Sequence, residues 1–69
     1  MKTIEYTNKP SIVTIQAAIK KAIAAGNDWI QLSWGENQII IERAYGQWVG
    51  HGWIGRNGGQ DIAHKLNRP

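Results

Sequence analysis

The chain has no cysteine and no phenylalanine, only two prolines, and no stretch of large aliphatic residues longer than Ile39 to Ile41. Without cysteine there is no disulfide and no thiolate metal site, and the chain fits a reduced, cytoplasmic setting. Met1 to Asn8 carries no apolar core of a secretion signal, and no run approaches the length of a membrane span, so a soluble protein without membrane contact is expected. Acid is scarce too. Five Asp and Glu face eight Lys and Arg, for a net charge of +3. The basic residues are spread along the whole sequence, and such a surplus becomes a nucleic-acid footprint only if the fold gathers it into one patch.

The same scarcity limits chemistry. There is no Gly-x-Ser-x-Gly elbow and no thiol, and the two histidines, His51 and His64, lack the spacing of a metal site. The composition therefore predicts a protein that is not an enzyme and holds no cofactor and no metal. Gly50-His51-Gly52-Trp53-Ile54-Gly55 matches the letters of a dinucleotide fingerprint. Only fourteen residues follow it, too few for the long helix and acidic residue that the fingerprint needs. Arg56-Asn57-Gly58-Gly59 has the composition of an anion-binding turn, but Arg56 is its sole cation.

What the chain does have is glycine and tryptophan, concentrated together. Six of its eight glycines and two of its four tryptophans lie between Gly46 and Gly59. Tryptophan is a favoured interface anchor, and glycine lets backbones approach one another, so this stretch is expected to shape a surface or a close packing contact.

At 69 residues the chain makes one domain, residues 1–69, that hides only about 60 % of its unfolded surface. Lys2 to Thr7 alternates polar and apolar residues and predicts a strand. Ser11 after Pro10 is a candidate N-cap. Ile12, Ile15, Ile19, Ala22 and Ile23 recur at helical spacing, and Gly26-Asn27 supplies the stop. Trp29 to Trp34 alternates again, with Ile30, Leu32 and Trp34 on one side and Trp29, Gln31 and Ser33 on the other. A turn at Gly35-Glu36-Asn37 leads into Gln38 to Arg43 as the second arm of a hairpin. After Tyr45-Gly46-Gln47, Trp48 to Ile54 reads as a last strand, with Val49, His51 and Trp53 opposite Trp48, Gly50, Gly52 and Ile54. Gln60 to Leu66 has Ile62 and Leu66 at i, i+4, enough for a short C-terminal helix.

The fold expected is α+β: a small, mostly antiparallel sheet in the order β-α-β-β-β, with one helix on one face. A single helix leaves the second face to solvent, to a homodimer or to a partner. That face is expected to hold Trp29, Ile40, His51 and Trp53, with Glu42, Arg43 and Arg56 as polar orientation at the rim. The sequence thus favours a protein-binding module that acts by occlusion, of the kind phages and plasmids use to inhibit a larger host protein or complex. That viral or mobile-element assignment rests on size and the absence of motifs. The alternative is a single-stranded nucleic-acid binder, with Trp29, Tyr45 or Trp53 stacking on bases and Lys2, Lys9, Arg43, Arg56, Lys65 and Arg68 meeting phosphates.

Overall fold

The structure is a computed structural model that describes residues 1–53 and 58–68. Its elements run β1 (Lys2–Tyr6), α1 (Ile12–Ala24), β2 (Trp29–Trp34), β3 (Asn37–Ala44), β4 (Gln47–His51) and α2 (Gly59–Leu66). The four strands form one sheet in the order β1-β2-β3-β4. β1 pairs parallel to β2 across the α1 crossover, and the two hairpin pairs β2-β3 and β3-β4 are antiparallel.

Local chemistry accounts for most of these boundaries. The Ser11 hydroxyl oxygen accepts a hydrogen bond from the Thr14 amide at 3.1 Å and caps α1. At the other end the Gly26 amide donates to the Ile23 carbonyl (2.9 Å) and the Asn27 amide to that of Ala22 (3.1 Å), the paired bonds of a Schellman stop. Gly26 adopts the φ of +92° that this stop requires. Between β3 and β4 the two turn residues, Tyr45 and Gly46, both have positive φ (53° and 78°), which matches the twist of a tight hairpin.

Strand alternation sends Ile30, Leu32 and Trp34 of β2 and Ile39 and Ile41 of β3 to one face, where all five are buried. Ile15, Ile19 and Ala22 of α1 and Ile62 and Ala63 of α2 complete the core. Both helices therefore cover the same face: α1 lies over β2, and α2 over β4 and β3. The short C-terminal helix is real and carries a share of the core, where the sequence pattern alone assigns the cover to one helix.

The last strand is shorter than alternation predicts. It ends at His51, and Gly52 (φ 79°) and Trp53 (φ 43°) turn the chain away. Gly50 and Gly59 explain why glycine is needed here. A Cβ on Gly50 would fall on the Gly59 carbonyl, and one on Gly59 would fall on the backbone of His51, so the first turn of α2 rests directly on β4. The floor left by the glycines is filled by the chain itself.

Candidate functional site

With both helices on one side, no element among the described residues covers the opposite face of the sheet. Register fixes what it displays. Trp29 of β2, Glu42 of β3 and Val49 of β4 form one cross-strand row. Thr3, Gln31, Ile40 and His51 form the next, Glu5, Ser33 and Gln38 a third, and Ala44 with Gln47 a short fourth at the opposite end. Each row exists because β-strand side chains alternate, so the residues flanking the buried isoleucines must point the other way.

Three apolar side chains gather on this face around Glu42. Trp29, Ile40 and Val49 sit on neighbouring or diagonal positions of three adjacent strands and are half-buried by one another and by the polar residues around them. Polar groups frame them in pairs. The Gln31 side-chain amide donates to the Gln38 oxygen at 3.0 Å. His51 Nε2 lies 3.7 Å from Glu42 Oε2, with both side chains substantially solvated. The imidazole carries charge only when protonated, and an exposed pair of this kind contributes at most about 1 kcal/mol. Among the described residues no three His, Asp or Glu groups gather, so the His51–Glu42 contact stands as a pair.

Of the residues that the sequence pattern assigns to this face, Trp29, Ile40, Glu42 and His51 are brought together. Trp53 is not. Because the strand stops at His51, the Trp53 ring swings to the helix side and packs on Trp34, with ring centroids 5.6 Å apart and planes inclined by 59°. Lys9 Nζ lies 4.4 Å from the centroid of that same ring. Arg43 is also displaced from the expected rim: it stands opposite Trp48 in the register, and its guanidinium lies 5.4 Å from the Trp48 ring. Arg56 lies outside the described residues. Conversely, Thr3 and Glu5 join the face, which strand periodicity alone does not reveal, because it says nothing about which strand is the neighbour.

The lysines and Arg43 lie off the uncovered face. The uncovered face carries Glu5 and Glu42, whereas Lys20 and Lys21 belong to α1, Lys65 to α2, and Lys9 and Arg43 cover tryptophan rings on the helix side. Lys2 shares the inward register of Ile30. Among the described residues no Lys or Arg stands in the rows of the uncovered face. Comparison with protein-family models, curated proteins and solved structures found no match to this chain.

Proposed function

We propose that this chain is a small protein-binding module that acts by occlusion, with the uncovered sheet face as its contact surface. The observation that carries the reading is the cluster Trp29, Ile40 and Val49, set around Glu42 and bordered by Gln31, Gln38 and His51, on a face that neither helix covers. An aromatic and aliphatic cluster with few charges, bordered by polar groups, fits the anatomy of a protein interface. The strands below it are rigid and paired, so little ordering cost is added on binding.

Charge supports a protein over a nucleic acid at this face. A single-strand binder combines stacking aromatics with cations that follow the backbone, whereas here the aromatic, Trp29, keeps company with Glu42. Inhibition of a larger host assembly remains the role that suits the size of such a module. The test is affinity capture from the native host with the chain and its Trp29→Ala variant. One stoichiometric protein, held by the parent chain and lost by the variant, is expected. Recovery of nuclease-sensitive material, or tight binding of mixed single-stranded oligonucleotides at low salt, would overturn it.

A further inference from the structure

We propose that the outer edge of β1, with the groove beside it, is a second docking site that takes an extended, acidic segment of a partner protein as a fifth strand of the sheet. The two edges of the sheet are treated differently. At β4 the Asn67 side chain imitates a neighbouring strand: its Oδ1 accepts from the Trp48 amide and its Nδ2 donates to the Trp48 carbonyl, both at 2.8 Å. Further along, the Gly59 amide donates to the Gly52 carbonyl at 3.0 Å. β1 is hydrogen-bonded only to β2, and among the described residues no backbone or side-chain group pairs with its outer side. Unpaired edge amides and carbonyls are a template for strand addition.

Beside that edge, between β1 and α1, runs a groove of about 370 Å³. Its floor is Ile4, Ala18, Ala22 and Ala25, and Lys2 and Lys21 stand on its lining. The Met1 ammonium is held near the same end by the Asn27 oxygen at 3.1 Å. No acidic residue lines the groove, since alternation puts Glu5 on the other side of the sheet. Small side chains on the floor leave room for valine-sized groups, and the surrounding cations select a carboxylate. An incoming strand presents alternate residues to one face, so it can offer both to the groove while its backbone pairs with β1. A second copy of this chain fits less well. Two-fold pairing about Ile4 would set Lys2 opposite Tyr6 and Glu5 opposite Thr3, with both Glu5 side chains on the other face of the sheet, so neither copy offers a carboxylate to the groove of the other.

The experiment uses the full chain, isotope-labelled, titrated with a short end-blocked peptide in which threonine alternates with valine and glutamate. Amide shifts confined to β1 and to residues 18–25 are expected. The affinity should fall at least about ten-fold in Lys21→Glu, and binding should vanish when the peptide's edge-facing amides are N-methylated. Ile40→Glu, on the opposite face, should leave this binding unchanged, which separates the site from the sheet-face reading. Absence of shifts at β1, indifference to N-methylation, or a dimer formed through β1 in the peptide-free protein by sedimentation velocity would each overturn the proposal.

Discussion

Glycine is required at positions 50 and 59 by contact, and at positions 26 and 46 by conformation, and the two requirements carry different penalties. A methyl group at Gly50 meets backbone, which has no rotamer in which to retreat, so Gly50→Ala must lift α2 off β4. Overpacking of that kind costs about 3 kcal/mol, a large share of the roughly 3–10 kcal/mol that holds a domain of this length together. At Gly46 nothing lies within 4 Å, but φ is +78°, so Gly46→Ala costs only about 1–2 kcal/mol. Urea denaturation should therefore show a much larger drop in midpoint for Gly50→Ala than for Gly46→Ala. Equal drops would mean that α2 does not rest on β4. Trp53 is predicted by the same logic. Its ring packs at a tilt on Trp34, a buried core residue, so Trp53→Ala should lower stability by about 1–3 kcal/mol and change the near-UV spectrum of the remaining tryptophans. An unchanged midpoint would place Trp53 outside the packing.

Elements are held in register by contacts that the sequence shows to very different degrees. The start and stop of α1 are legible because Ser11, Gly26 and the isoleucine spacing all lie within the helix or beside it. The strands are legible because Ile30, Leu32, Ile39 and Ile41 alternate with polar or less buried neighbours. Beyond His51 the alternation of Trp53 and Ile54 still reads as strand, yet the positive φ at Gly52 and Trp53 ends it, a matter of backbone geometry that residue type does not announce. The same overrun is why the sequence pattern places Trp53 on the uncovered face. Arg43 is displaced for another reason: alternation already sets it on the side of Ile39 and Ile41, and its partner there, Trp48, is known only once the hairpin register is known. Least legible of all is Asn67, whose two bonds to Trp48 join residues 19 apart. Asn67→Ala removes both bonds at an exposed edge where water can replace them, so a loss of about 1–2 kcal/mol is expected. It also uncovers the edge of β4. Sedimentation velocity at high protein concentration should then show stronger self-association than in the parent chain, and no increase would show that Asn67 does not guard this edge.

On the scale of the whole molecule, the chain is two layers, with Cα extents of 32 × 25 × 19 Å, and one layer is the sheet itself. The division between the layers can be tested at two adjacent residues. Ile39 is fully buried beneath the helices, whereas Ile40 stands between Gln31 and His51 on the uncovered side. Ile39→Glu places a carboxylate in a core with no buried polar partner, at a cost of several kcal/mol, comparable with the stability of the domain. It should abolish the dispersed amide spectrum. Ile40→Glu adds a second carboxylate beside Glu42 on a solvated face, where the change in stability should stay within about 1 kcal/mol. The dispersed spectrum should survive, and capture of the protein partner should be lost, because a charge now occupies the centre that must be desolvated on contact. A folded Ile40→Glu variant that still holds its partner at full strength would show that the contact surface lies elsewhere on the molecule.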